Sequence, residues 1–571
     1  MFSSQGNYAL ININEKTPDN EIVNSIFDTI ENSGCKHYLS EYDKENKRFL
    51  YFAHYLKEIE VKTIVFEFNY RDRQYIEDHS HYYNRCFKHY SRRCIRLHFF
   101  SLHFTADVLQ DFLTCFSREK TSFLPEFKNS YCGFSLIKPL PFTVFGKTCL
   151  KTYGQDKDKK KPKKGKRYYD AIRKYDVTLF GIELSVDSVA YQEQDSQIFV
   201  CATTALWVAY QCTSKLFDHK IPTPYEITLQ ATGRKTAGSE GLNPKEIIKS
   251  ISEQGLHALS FKSFTSVPVK AFLYAYLKAK LPVIIAVKLK SSVYEPEYHC
   301  LTALGYDIVP KGKESEVKLC LKSSLIDEIY VHDDQSGPFT RLKFDKKNNA
   351  HFEGTDWAVK KMGKNVEFEL LTMIVPLYHK IHISFEKILD ITEELNTCAF
   401  PGNKDYNILW NIYLTTVAQL KKNLMERENT YIDKSLYRNI LLQILTNSLP
   451  KYIWIVEALD KTDKSSKFSF YFDATDMENS DFLLFYLPDN ESEYIGLLNC
   501  MLSVNEHVSA YTKMKNDISY QTRQIFEYII REKSKRSEIG EIIENMLYEG
   551  VQKFKNLKIT KNLKTEKIVE T

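Results

Sequence analysis

The sequence contains no CxxC pair, no apolar run of membrane-spanning length and no marked excess of charge of either sign. Its 12 cysteines are scattered at positions 35, 86, 94, 115, 132, 149, 201, 212, 300, 320, 398 and 500. Disulfide frameworks are dense and short-range in small secreted chains. These thiols are therefore expected to be reduced, mostly buried, and part of a cytoplasmic protein. The longest apolar runs, such as residues 282–287, are strand-sized, well short of the ~18 residues a membrane helix needs. The first twenty residues lack a basic stretch followed by an apolar core, so no signal peptide is expected. A net charge of +5 on 571 residues is too even for a dedicated nucleic-acid binder, and nucleic acid is not an expected partner. No P-loop, GxGxxG or HExxH occurs, so no cofactor or metal is expected. There is no internal repeat.

Hydrophobic residues make up 43% of the chain and aromatic residues 13%, enough to bury sizeable cores and to exclude disorder as the dominant state. Abundant Asn, Ile and Lys point to an AT-rich genome. Domains of ~100–200 residues suggest three units. The lysine-rich stretch 155–167, broken by Pro162 and Gly165, reads as a solvated loop, because like charges repel and stay open. A boundary follows it. The expected division is an α+β accessory domain over 1–170, a central α+β domain over 171–372, and a mainly helical accessory domain with a Lys-rich tail over 373–571.

In the first segment a helix is expected over 18–31, with Thr17 as N-cap and Pro18 in its first turn. Residues 51–64 read as a helix leading into a strand over 63–70, where Ile64, Phe66, Phe68 and Tyr70 alternate. Strands are expected over 133–139 and 141–148. In the second segment the order is a strand over 177–184 with turn residues around Gly181, helices over 201–211, 243–254 and 267–278, then strands over 282–288, 299–308 and 329–332. Helices followed by strands suit an α+β domain. In the third segment helical periods cover 406–426, 435–449 and 523–551, with a strand over 468–472 and a frayed tail over 554–571.

Three stretches carry the chemistry. The first is Gln192-Glu193-Gln194-Asp195 followed by Cys201-Ala202-Thr203-Thr204-Ala205-Leu206-Trp207. The second runs from His299 to Gly305-Tyr306-Asp307, and the third from Ile329 through His332-Asp333-Asp334 to Gly337. A thiol nucleophile must be partly ionised at neutral pH. A helix N-terminus supplies roughly half a positive charge, and a neighbouring imidazolium helps further. Cys201 sits at a predicted helix start, His299 opens a predicted strand, and Asp333 closes the next, where it could orient the imidazole. An amide before the cysteine could stabilise an oxyanion.

The order Gln, Cys, His, Asp, with the cysteine on a helix and the others on strands, resembles that of papain-like hydrolases. More narrowly, the central ~160 residues resemble the C39-like peptidases, relatives of the double-glycine leader peptidases. The spacing from His299 to Gly305-Tyr306 and from Asp333 to Gly337 matches that family, as do Leu281-Pro282-Val283-Ile284 and the helix ending at Gly255-Leu256. The chain departs from it in placing Ala202 where the family has glycine and Val200 where it usually has aspartate. Asp195, rather than glutamine, stands six residues before the cysteine. The resemblance implies a papain-like core, with helices packed on an antiparallel sheet, and hydrolysis of a peptide amide by Cys201, His299 and Asp333. Gln194 is the preferred oxyanion donor and Gln197 the alternate. A protein or peptide substrate and a regulatory protein partner for the flanking regions are the expected partners. The same triad would serve a deamidase, transglutaminase or acyltransferase, and a degenerate core would serve as a binding scaffold.

Other groups are read as structural. Cys212 and Cys300 are expected to be buried thiols, and His332 is a lesser rival for the base. Residues 75–103 hold five His and two Cys, among them His79, His81, Cys86 and Cys94, but their spacings match no common tetrahedral zinc pattern. They are expected to form an aromatic-rich helical surface with basic tips at Arg85, Arg92, Arg93 and Arg96. The carboxylates of Asp473 and Asp476 are expected to mark a turn after a strand.

Overall fold

The computed structural model describes residues 3–5, 7–33, 47–114, 123–140, 143–153, 165–194, 200–234, 241–262, 268–290, 297–309, 319–345, 351–355, 366–399, 407–426, 441–442, 444–477 and 482–488. It is a mixed α+β protein with antiparallel sheets, in two compact units. The first comprises Met1–Lys313 and Leu325–His379, the second Glu314–Ser324 and Lys380–Thr571. Residues 1–170 and 171–372, apart from 314–324, thus fall in one unit.

The first unit begins with a six-stranded meander in sequence order: β1 (Ser3–Gln5), β2 (Tyr8–Asn12), β3 (Thr63–Tyr70), β4 (Cys94–Phe100), β5 (Tyr131–Leu140) and β6 (Thr143–Leu150). Its helices are α1 (Asp19–Asn32), α2 (Lys47–Glu58), α3 (Arg73–His81), α4 (Ala106–Thr114) and α5 (Phe123–Asn129). Helix α1 buries Ile22, Val23, Ile26, Phe27 and Ile30, the one-sided spacing of an amphipathic helix. Its N-cap is Pro18, not Thr17. The Thr17 hydroxyl accepts instead from the Asn14 N–H, a local turn that takes the cap oxygen out of reach. Strand β4 corrects the helical reading of 75–103. The helical part of that stretch is α3 and a 3-10 turn over Tyr83–Arg85, and all seven residues of β4 are buried. A strand covered on both faces shows no alternation, so its period is invisible in the sequence.

The middle of the chain adds β7 (Lys166–Tyr168), β8 (Arg173–Leu179) and β9 (Ile182–Ser188). Strands β8 and β9 form a hairpin, where one strand had been expected over 177–184. Phe180 and Gly181 both have positive φ, 50° and 87°, the hand of a two-residue hairpin turn. Helices α6 (Cys201–Phe217), α7 (Pro224–Thr232) and α8 (Pro244–Glu253) follow, then β10 (Leu256–Phe261) and α9 (Val269–Lys278). Helices α7 and α8 each start on a capping box, from Thr223 to Glu226 and from Asn243 to Glu246. Strands β11 (Val283–Lys290), β12 (Glu297–Ile308), β13 (Glu328–Asp333), β14 (Gly337–Lys343), β15 (His351–Glu353) and β16 (Glu367–Tyr378) complete the unit.

The second sheet runs β10-β16-β11-β12-β13-β14, with β15 on β16 and β7 on β12. Helix α6 lies on β12, where the Thr302 hydroxyl donates to the Ala205 carbonyl at 2.8 Å. One apolar core runs from Phe52 and Phe99 to Trp207 and Ile284, so both sheets of this unit contribute to one continuous core.

The second unit corrects the mainly helical expectation. Its described residues build a four-stranded antiparallel sheet, β17 (Ile408–Thr416), β18 (Tyr452–Asp460), β19 (Ser466–Asp473) and β20 (Leu483–Pro488), with helices α10 (Phe385–Ala399) and α11 (Val417–Glu426). The expected helix over 406–426 is half strand. Eight of the nine residues of β17 are buried, and such a continuous apolar run reads equally as helix or buried strand. Residues 441–442 and 444–446 are helical. The stretches 154–164, 523–551 and 554–571 lie outside the described residues. After β19 the Thr475 N–H and hydroxyl both donate to Asp473 Oδ1, a turn that occupies that carboxylate. Among the described residues no helix is long and apolar enough to cross a membrane.

Candidate active site

Helix α6 starts on Cys201. Its N-cap, Val200, is extended at φ −117° and ψ 177° and offers no side chain to the helix end. Residues 202–214 are all buried, so the helix is anchored along its length while its N-cap residue supplies no side-chain acceptor. The positive end of the helix dipole therefore acts on the Cys201 sulfur. Cys201 is half-buried, whereas Cys212, on the same helix, is buried and its thiol is pushed up to about 12 by burial.

His299 lies in β12 opposite Val287 of β11 and is 5% exposed. Its ring meets two partners. The Cys201 side chain interacts with it, and Nε2 lies 2.9 Å from Asp333 Oδ1. With Nε2–H donated to the carboxylate, Nδ1 is the nitrogen left for sulfur. Burial pulls the imidazole toward the neutral form, but the Asp333 bond, the Asp333 charge, the Cys201 side chain and the Asp334 charge together raise it well above its ordinary value. Asp333 is fully buried. It ends β13 and caps its own turn: Oδ1 accepts the Gln335 N–H at 3.0 Å and Oδ2 the Ser336 hydroxyl at 2.7 Å. Burial would raise its carboxyl, but the His299 charge and these bonds outweigh that and hold it below the usual range.

Asp334 faces the same ring, with Oδ1 3.6 Å from His299 Nε2. Neither of its carboxylate oxygens has a hydrogen-bond partner. Burial, and then the charge of Asp333, push it up to about 7, against the opposing pull of His299 and Arg48. Arg48, from α2, also pairs with the buried Glu193 at 3.4 Å, whose other oxygen accepts the Phe145 N–H at 3.0 Å. The Tyr191 hydroxyl donates to the Asp334 carbonyl at 3.4 Å. In the sequence Asp334 is simply the neighbour of Asp333, and adjacent aspartates commonly mark a turn. Arg48 stands some 150 residues before the cysteine, and nothing in its local sequence marks it.

His299, Asp333 and Asp334 offer ligand atoms within 4.8 Å of one another, the one such group among the described residues. The donor set fits a cation poorly. Both Asp333 oxygens already accept N–H or O–H donors, which point positive hydrogens where metal-bound lone pairs would be needed. His79, His81, Cys86 and Cys94 form no such group. His79 Nε2 bonds the Tyr90 carbonyl, His81 stacks on the Tyr225 ring at 4.5 Å, and Cys94 is fully buried.

His332 does not share the proton chemistry. Its Nδ1 accepts the Phe339 N–H at 3.0 Å, and its Nε2–H donates to the Val189 carbonyl at 3.0 Å. Both nitrogens are occupied, and burial lowers it to about 3. Cys300 is buried, and its thiol is raised by that burial and by the charges of Cys201 and Asp334. Gln194 is half-buried just before the stretch 195–199, which lies outside the described residues together with Asp195 and Gln197. Gln192 is fully buried. It accepts from Gln74 at 3.4 Å, and Gln74 in turn accepts from the Trp207 indole at 3.1 Å.

No protein-family model matches the chain, and no curated protein matches it in sequence.

Proposed function

We propose that this chain is a cysteine peptidase with a papain-like core similar to the C39-like peptidases, hydrolysing a peptide amide through Cys201, His299 and Asp333. The observation that carries this reading is the imidazole of His299, held 2.9 Å from Asp333 and in electrostatic reach of the Cys201 thiol. His299 takes the Cys201 proton, and the thiolate attacks the carbonyl carbon. Charge builds on the carbonyl oxygen, where the N–H of Cys201 and the amide of Gln194 receive it. His299 then protonates the leaving amine, giving a thioester. A water, deprotonated by His299, attacks the thioester and releases the acid and the thiol. Asp333 keeps Nε2 protonated and the ring aimed at sulfur throughout. The substrate is a protein or peptide met in the cytoplasm, and the second unit selects the substrate or binds a regulatory protein.

Alkylation by iodoacetamide at pH 6, mapped by mass spectrometry, tests the reading. Cys201 should react first and fastest, and labelling should vanish in Cys201→Ala but not in Cys212→Ala. Labelling that survives Cys201→Ala unchanged would overturn it.

A further inference from the structure

The turn that carries Asp333 is held from outside its own sheet. Between Asp333 and Phe339 the backbone turns sharply. The Ser336 N–H donates to the Asp333 carbonyl at 3.0 Å, and Gly337 and Phe339 take positive φ of 148° and 51°. A non-glycine residue in that region is strained, and such strain persists only where the surroundings over-determine it. The surroundings here include α2. The Tyr51 hydroxyl donates to the Pro338 carbonyl at 2.7 Å. The Tyr51 ring lies so close to Gly337 that a β-carbon there would fall on Cδ1 and Cε1. Farther along α2, Glu58 pairs with Arg341 of β14 at 3.4 Å. At the start of the same helix, Arg48 bears on Asp334. Tyr153, which follows β6, donates to the Phe339 carbonyl at 2.6 Å.

We infer that α2 is part of the catalytic apparatus, with Tyr51 a positioning residue that holds the 333–338 turn so that Asp333 meets His299 Nε2. This rests on the cysteine-peptidase reading and extends it: the N-terminal segment sets the geometry of the acid rather than serving as a detachable accessory. Asp333 is the last residue of β13, paired there only with Gly337. A shift of Gly337 therefore moves the carboxylate directly. Tyr51 touches Gly337 and Pro338, so its direct route to the imidazole among the described residues runs through this turn. Its effect must accordingly vanish when Asp333 can no longer act.

The experiment is the pH profile of iodoacetamide alkylation at Cys201 in four full-length proteins: wild type, Tyr51→Phe, Asp333→Asn and the double variant. The wild type should keep a fast plateau well below the pKa of a free thiol, ~8.5. Tyr51→Phe keeps the ring and loses one hydrogen bond. It should lower the rate at pH 6 by about two- to tenfold and move the midpoint of the profile in the direction seen for Asp333→Asn. In the Asp333→Asn background the same change should alter the rate by less than about twofold, as coupled neighbours do. An unchanged profile in Tyr51→Phe, or a full effect in both backgrounds, would overturn the inference while leaving the peptidase reading in place. If wild-type Cys201 shows no acid-shifted reactivity at all, the reading and the inference fall together.

Discussion

Asp334 Oδ1 lies 3.6 Å from His299 Nε2 with neither of its own carboxylate oxygens hydrogen-bonded. One imidazole therefore faces two carboxylates, of which only Asp333 is satisfied. Like charges so close do not both ionise easily, and Asp334 is the one pushed up, to about 7. A carboxyl titrates near 3.9 in an unfolded chain. Between about pH 4 and pH 7 the native state therefore binds more protons than the unfolded state, and this group's contribution to stability falls as pH rises through that window. Asp334→Asn removes the titration. The variant should lose less stability than the wild type between pH 4 and pH 7 and should melt a few degrees higher at pH 8. Thermal melts of both proteins across that range check it; parallel curves would count against an ionising Asp334.

Asp333 behaves oppositely, because its folded value is depressed. Its stabilisation is present above the unfolded carboxylate value and is lost as pH falls through the folded one. Asp333→Ala leaves a buried imidazole without its acceptor, and the Gln335 N–H and Ser336 hydroxyl without theirs. Breaking a buried pair of this kind costs about 3 kcal/mol or more. Urea unfolding should show that loss. Alkylation of Cys201 at pH 6 should slow at least about tenfold, because the imidazolium that supports the thiolate is no longer held.

His332 provides a control from the neighbouring position. With Phe339 N–H on Nδ1 and Val189 O on Nε2, it is the neutral tautomer with its proton on Nε2. Its value of about 3 lies below the ~6.5 of an unfolded histidine. Its contribution to stability is full above pH 6.5 and declines as pH falls toward 3. Ring nitrogen NMR at pH 5 should find His332 neutral and His299 charged. A charged His332 at that pH would contradict the geometry.

The α+β architecture and the partners of Cys201 were legible because each lies in an element with a strong local signal. Helix α8, the turn residues at Gly181 and the start of α6 all appear in the letters. What was not legible was set by burial or by distance along the chain. Strands β4 and β17 are covered on both faces, which erases the alternation that would have identified them. Thr17 looked like a cap because its hydroxyl can serve as one, and only the local turn at Asn14 diverts it. The grip of Tyr51 on Pro338 spans 287 residues, and no window of sequence contains both. The second acid, Asp334, was visible, but nothing in Asp-Asp distinguishes a turn residue from a carboxyl aimed at an imidazole.

The oxyanion donor separates two kinds of chemistry at the same sulfur. Alkylation by iodoacetamide is a displacement at a saturated carbon and builds no oxyanion, whereas acyl transfer does. Gln194→Ala should therefore leave the alkylation rate of Cys201 within about twofold, while the acylation burst from p-nitrophenyl acetate falls about 100-fold or more, the scale of losing one oxyanion donor. The paired variant Gln197→Ala should leave both rates near wild type. If the burst instead collapses in Gln197→Ala and survives in Gln194→Ala, the donor is Gln197. If both variants acylate normally, no side-chain amide from this stretch takes part and the N–H groups at the head of α6 carry the charge alone.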